Sequence, residues 1–381
     1  MATPYGHIPN PDQNGAGLYS FKLTPASSLF LFSLAAFLLL TILCWVRRKC
    51  TMIIEKPAKF STVRKIKKRT TTPVSILDVK VMLPSIIIFR DEADMKNRYD
   101  PFEFAHVPAV RLGKGTLGPL YKVVLNNGSI VTVRKLQAGL AKPDEINCWI
   151  KFFGGIRDKW LSRIMFSFWY GGESFIVYEY MCLGSLEELL HGREGIQFTS
   201  LNWGIRRHVA LCTSMAVAAI HSRVTENREG LVCGVIKASN VLIRTDFSAC
   251  LSGFESPYLA GPKLIIRKNP GRVAPELVHG HGPITFTQKS DVYSFGILLL
   301  ELITGKKPIF SDEHGQEKLV QYVQYKRERE GLQGIIDTKM ADIIDDGMVN
   351  MVKIAELCLK QNPKERPTMD RVVSMIQHLQ D

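Results

Sequence analysis

No Cys-x-x-Cys pair occurs among the eight cysteines of this 381-residue chain. A disulfide-dense scaffold is therefore excluded, and free thiols are the expectation. No internal repeat and no low-complexity run is present. With 46% hydrophobic and 22% charged residues, the chain is neither wholly disordered nor collagen-like. Acid is in short supply: 36 Asp and Glu stand against 49 Lys and Arg, a net charge of +13. Such an excess points first to nucleic acid or an anionic membrane. Position decides between them. Residues 47–70 hold ten basic residues and one acid, Glu55, and residues 1–46 sum to zero. The remaining 311 residues carry only +4, which gives no case for a nucleic-acid-binding domain.

The longest uncharged stretch explains the basic block. Leu29 to Val46 reads LFLFSLAAFLLLTILCWV, without charge, Pro or Gly, and the uncharged run starts at Leu23. At ~1.5 Å per residue it spans ~27–36 Å, about one bilayer core. Residues 26–46 are thus expected to form a transmembrane helix, with Trp45 at an interface. A cleaved signal peptide fits poorly, because the apolar region is too long and Lys22 is the one basic residue before it. Arg47, Arg48 and Lys49 follow at once, so the C-terminal side faces the cytoplasm. Residues 1–25 form a short extracytoplasmic segment, too short to fold as a ligand-binding ectodomain. Residues 47–100 read as a basic juxtamembrane linker whose 47–70 block lies along anionic inner-leaflet lipid. Cys44 and Cys50 are candidates for palmitoylation. Asn127-Gly-Ser matches a glycosylation pattern but never meets a lumen on this topology.

From about residue 101 the chain reads as globular. β-Rich runs come first: AVRLGKG, PLYKVVL, SIVTVRKL and SFIVYEYM. Two of them flank Asn126-Asn127-Gly128, a strong hairpin signal. From Ser185 helical periodicity dominates, as in SLEELL, DVYSFGILLLELI and MDRVVSMIQHL. The expected fold class is α+β: a small β-rich lobe, 101–180, followed by a larger helical lobe, 181–381.

Several motifs in this order carry a family resemblance. Gly113-x-Gly115-x-x-Gly118 opens a hairpin, VYEYMCLGSLEELLHG begins within the fourth run and continues it, and Ala274-Pro275-Glu276 comes later. Asp291-Val-Tyr-Ser-Phe-Gly296, LLLELITGKKP and PKERPTM around Arg366 complete the set. Over ~280 residues the chain resembles plant receptor-like protein kinases of the leucine-rich-repeat type. The resemblance implies a bilobal protein-kinase-like fold preceded by a single transmembrane helix. It also implies a plasma-membrane location and ATP as cofactor.

A kinase of this family needs a Lys on the phosphates, a Glu holding it, a base Asp, and an Asp and Asn on Mg²⁺. Here the Lys position falls on Arg134, since V-A-V-K aligns with Val131-Thr132-Val133-Arg134. Lys135 points to the opposite face of the strand. The Glu position falls on Trp149, with Glu145 one turn earlier. H-R-D-I-K-x-S-N lands on Cys233-Gly234-Val235-Ile236-Lys237-Ala238-Ser239-Asn240, placing Val235 at the base. D-F-G lands on Gly253-Phe254-Glu255, placing Gly253 at the metal. Neither Asp246, in a turn, nor Glu255, two residues late, is a good substitute. A positioned base contributes ~10²–10⁴-fold and metal stabilisation several kcal/mol more. Without both, no useful rate remains, so no catalytic residue and no metal site are expected. No Ser, Thr or Tyr lies between Tyr258 and Thr285. Gly234 also replaces the Arg that would meet a phosphate on that segment.

Architecture is expected to persist. The resemblance assigns Asp291 to holding the catalytic-loop backbone, Glu276 and Arg366 to a buried ion pair, and Phe153 and Phe254 to the apolar spine. Gly113, Gly115, Gly118, Arg134, Glu179, Met181 and Asn240 form a weak nucleotide site at best; no cofactor is required. The expectation is a membrane-anchored pseudokinase that binds cytoplasmic signalling proteins, active receptor-like kinases among them. The alternative is an atypical Ser/Thr kinase using Arg134, Glu255 and Asn240.

Overall fold

The structure, a computed structural model, describes residues 86–88, 100, 103–105, 107–170, 172–192, 201–225, 227–280, 282–312, 315–340 and 345–379. All lie within the larger of two compact units, Pro57–Asp381. The extracytoplasmic segment, the helix expected at 26–46, the 47–70 basic block, Cys44 and Cys50 lie outside the described residues. Among the described residues, no helix is long and apolar enough to cross a membrane.

An antiparallel sheet of six strands builds the first lobe: β1 (Ile86–Ile88), β2 (Ala109–Gly113), β3 (Leu120–Val124), β4 (Ile130–Lys135), β5 (Ile164–Tyr170) and β6 (Glu173–Glu179). Their order is β1-β5-β6-β4-β3-β2. β3 and β4 meet at the Asn-Asn-Gly turn, where Gly128 adopts the positive φ (+80°) that this tight hairpin asks for. β1 comes from the stretch read as linker and pairs with β5 through Ile86–Phe168 and Ile88–Phe166. Phe104, Val123, Val131, Val133, Phe166, Phe168, Phe175 and Val177 close this lobe's core. Helix α1 (Pro143–Gly154) packs on β5 and buries Ile146, Ile150 and Phe153.

The second lobe follows with α2 (Leu186–His191), α3 (Trp203–His221) and the short hairpin β7 (Val241–Ile243) and β8 (Ala249–Leu251). Short helices α4 (Ser256–Leu259), α5 (Pro262–Lys268) and α6 (Pro275–His279) lead into α7 (Gln288–Thr304). The hairpin of β9 (Ile309–Asp312) and β10 (Gly315–Lys318) precedes α8 (Leu319–Glu330), α9 (Asp346–Cys358) and α10 (Met369–Gln377). Ser290 to Thr304 of α7 are all buried, as befits a mostly apolar helix at the centre of a lobe, with its buried Asp291 and Glu301 bonded to neighbours. Thr287 caps its start by accepting from the Ser290 N–H. Gly305 ends it at φ +65°, with Asp337 where a Cβ would project.

Arg366 ties the end of the chain to α6. It donates to both Glu276 oxygens (2.7 and 2.8 Å) and to the carbonyls of Lys360 and Lys289. Its guanidinium lies over the Tyr293 ring at 4.9 Å. The Glu276 side chain is 29% exposed, so solvent screens part of the loss if the pair is broken. Arg366→Ala should lower unfolding free energy by about 3 kcal/mol, the lower end for one-sided loss of a buried pair. Denaturant titration followed by circular dichroism measures it.

Candidate functional site

The cleft between the lobes begins with the glycine loop that joins β2 to β3. Gly115 (φ +56°) and Gly118 (φ +136°) bend it, whereas Gly113 has open space around it. The loop is pinned to the chain leaving β4. Leu117 O accepts from Gln137 N (2.9 Å), Pro119 O from Lys135 N (3.0 Å), and Thr116 O from Gln137 Nε2 (3.2 Å). Leu117, 1% exposed, belongs to the main apolar core. The loop tip is thus folded inward.

Arg134 lies beneath it. Its Nη1 donates to Gly118 O at 3.4 Å and occupies the place a Cβ on Gly115 would need. The guanidinium faces the Tyr178 ring at 5.7 Å, and among the described residues its Nε has no hydrogen-bond partner. A planar fork fills space here that a slim ammonium would leave open. Lys135 points the other way and pairs with Glu173 at 2.6 Å. Glu179 is exposed at the end of β6, and Met181 is buried with its carbonyl accepting from Gly184 N.

Across the cleft, Asp291 fixes the loop from Cys233 to Asn240. Its Oδ2 accepts from Cys233 N (2.6 Å) and from His221 Nε2 (2.9 Å), and its Oδ1 accepts from Gly234 N (2.8 Å). Burial, then the Asp291 charge, pushes the Cys233 thiol's pKa well up. His221, Cys233 and Asp291 offer three metal-ligand atoms within 4.8 Å. A cation there would compete with the hydrogen bonds that already use the carboxylate. Gly234, at φ +88°, has Pro257 Cγ 2.5 Å from where a Cβ would sit. Val235 is 7% exposed and part of the apolar core.

Lys237 reaches back over the cleft. Its Nζ donates to Thr116 Oγ1 of the glycine loop (3.1 Å) and to Asn269 Oδ1 of the segment Ser256–Pro275, the activation segment in a kinase (2.8 Å). Desolvation, then the charges of Arg134 and Arg272, bring its pKa down to about 8. Gly253 sits at φ +75°, and a Cβ added there would lie 2.5 Å from Asn240 Nδ2. Asn240 therefore occupies the room a side chain at 253 would take. Glu255 is fully buried and accepts from Tyr178 OH at 2.7 Å, leaving Oε2 without a partner. Burial, then the Glu255 charge, raises the Tyr178 pKa well above its usual value. Asp246 lies exposed in the turn between β7 and β8, bonded to Ser248.

Trp149 anchors an aromatic cluster between α1 and the activation segment. Its ring lies 4.4 Å from Tyr258 and 5.9 Å from Phe153, and Phe153 meets Phe254 edge-on at 5.6 Å. Tyr258 OH accepts from Val232 N at 2.8 Å, and burial pushes its pKa up to about 12. Glu145 stays at the start of α1, accepting from Lys142 N. The bonds of Lys237 to Thr116 and Asn269, and that of Tyr178 to Glu255, join residues 32 to 121 positions apart. No local sequence pattern marks them. Only the proximity of Glu255 to Gly253 hinted at an acid near the cleft.

Fold and cleft together define a two-lobed protein of the kinase class. The family model described as "Protein kinase domain" matches residues 107–378, and the chain belongs to that family. Probable inactive receptor kinase At1g48480 of Arabidopsis thaliana is 32% identical over 290 residues, 74% of this chain and 43% of that protein. Brassinosteroid LRR receptor kinase BRL3 of Oryza sativa subsp. japonica is 33% identical over 277 residues, 71% of this chain and 22% of that protein. The chain thus spans less than half the length of these curated relatives. The maize SIRK1 (sucrose-induced receptor kinase 1) kinase domain, solved bound to AMP-PNP, superposes with TM-score 0.68 at 26% identity. That match covers 78% of this chain and 100% of the maize one. The pseudokinase domain of BIR2, an immune regulator of the RLK/Pelle family, shares the fold with TM-score 0.60 at 24% identity, over 77% and 89% of the two chains.

Two outcomes test this geometry. Gly253→Asp should cost about 1–2 kcal/mol, because it places an L side chain at positive φ against Asn240. It should confer no Mg²⁺-dependent thermal stabilisation by ATP, read by scanning fluorimetry. For Lys237, the unfolded chain holds the proton up to about 10.5 and the folded chain to about 8. Between these values the unfolded state binds more protons, so this residue's contribution makes stability rise with pH. The protein should gain on its Lys237→Met variant by on the order of 2 kcal/mol from pH 8 to 10 in urea unfolding.

Proposed function

We propose that this chain is a membrane-anchored, receptor-like pseudokinase that works by binding cytoplasmic signalling proteins and transfers no phosphoryl group. One observation carries the reading: the groups that face the cleft are committed to one another. Arg134 holds the glycine loop, Lys237 bridges it to the activation segment, Asn240 fills the space beside Gly253, and Glu255 is bonded to Tyr178. Val235 is in the core, where no proton of an incoming hydroxyl reaches it and no carboxylate accepts one. Mg²⁺ wants hard, usually anionic oxygens, and a single amide at Asn240 is a poor site for it. No cofactor is required, and ATP binds weakly at most.

The relatives named as probable inactive receptor kinases support the same reading. Receptor-like relatives, with the apolar run and basic 47–70 block, favour a single-pass plasma-membrane protein whose kinase-like domain is cytoplasmic. Anionic inner-leaflet lipid is then one partner, and active receptor-like kinases are candidate protein partners.

The test is phosphate incorporation by the full-length chain with Mg- or Mn-ATP and generic protein substrates. Incorporation should equal that of the Arg134→Ala variant. Incorporation that the variant abolishes would favour an atypical Ser/Thr kinase using Arg134, Glu255 and Asn240.

A further inference from the structure

The activation segment from Ser256 to Pro275 carries four basic residues, Lys263, Arg267, Lys268 and Arg272, and no acid. Arg272 is neutralised by Glu301 of α7 at 3.2 and 3.1 Å. The other three are exposed on α5. Among the described residues none of these three forms an ion pair or a side-chain hydrogen bond. Lys263 and Arg267 are one turn apart on one face of α5. Lys268 adjoins Asn269, whose side chain bonds Lys237 at the cleft. Packing fixes this display: Ile265 is 2% exposed, and Asn269 Nδ2 donates to Ile265 O at 2.7 Å. Desolvation together with the charges of Arg134, Arg272 and Lys268 depresses the pKa of Lys237, so cations outweigh anions in this corner. No hydroxyl lies between Tyr258 and Thr285, so α5 itself carries no group that a phosphate could occupy to offset its charge.

We propose that α5 is a docking surface for a phosphorylated segment of a partner protein. This deepens the binding reading given above and rests on it. Three unpaired cations within six residues match a compact dianion with several acceptor oxygens. A bilayer calls for a broad cationic face, yet residues 71–381 carry only +4 in all. Lipid attraction belongs to the 47–70 block.

The experiment uses the full-length chain and three probes. They are a fluorescent Gly-Ser-rich peptide with two phosphothreonines, its unphosphorylated twin, and phosphatidylcholine vesicles containing phosphatidylserine. The phosphopeptide should bind about tenfold more tightly than its twin, and rising salt should weaken it. Lys263→Glu, Arg267→Glu and Lys268→Glu together should remove that preference at an unchanged thermal midpoint. Lys353→Glu on α9 should leave it intact. Equal affinity for the two peptides, or retained preference in the triple variant, overturns the proposal. So does a triple variant that loses vesicle binding without any phosphopeptide preference to lose, which would assign α5 to lipid. Failure here with phosphate incorporation still absent removes this surface alone; incorporation removes the binding reading itself.

Discussion

Asp291 lies in the first turn of a helix buried on every side, and its carboxylate gathers the backbone N–H groups of Cys233 and Gly234 and the ring of His221. Those donors have no water to turn to, so losing the carboxylate would leave them unpaired at about 1–3 kcal/mol each. The loop that carries Val235, Lys237 and Asn240 takes its shape from this one acid. Nothing in that arrangement asks for a base at 235. The scaffold here is held by groups distinct from the positions a kinase uses for its chemistry.

The cleft shows how the two are uncoupled. At three glycines of the cleft a neighbour takes up the space a side chain would need. Arg134 fills the room under Gly115, Asn240 the room beside Gly253, and Pro257 the room beside Gly234. Trp149 exchanges a charge for rings packed on Phe153 and Tyr258. Hydrogen bonds of Lys237 to Thr116 and of Tyr178 to Glu255 join the two lobes across the cleft.

Much of this was legible beforehand. The four β-rich runs, the Asn-Gly turn and the helical periodicities after Ser185 are local signals, and the structure contains the elements they describe. β5 gives no strand signal of its own in the sequence, because IMFSFWY is apolar on both faces and lacks a clean alternation. β1 lies in a stretch read as linker, where three isoleucines gain a strand only by pairing with β5. At the site, motif spacing located Arg134, Trp149, Val235 and Gly253. It gave no account of what fills their surroundings, since Lys237 meets Thr116 and Asn269, and Tyr178 meets Glu255, through tertiary packing alone. Glu255 is the instructive case: an acid adjacent to the cleft in sequence is turned by folding onto Tyr178.

The central proposal is that the cleft's side chains, bonded to one another, leave a weak nucleotide site at best and no site for Mg²⁺. Thermal unfolding of the full-length chain, titrated with ATP with and without Mg²⁺, tests it most directly, because a ligand of the native state raises the midpoint by mass action. The account predicts no saturable rise that depends on Mg²⁺. A rise that saturates with ATP and vanishes when the metal is chelated would contradict it.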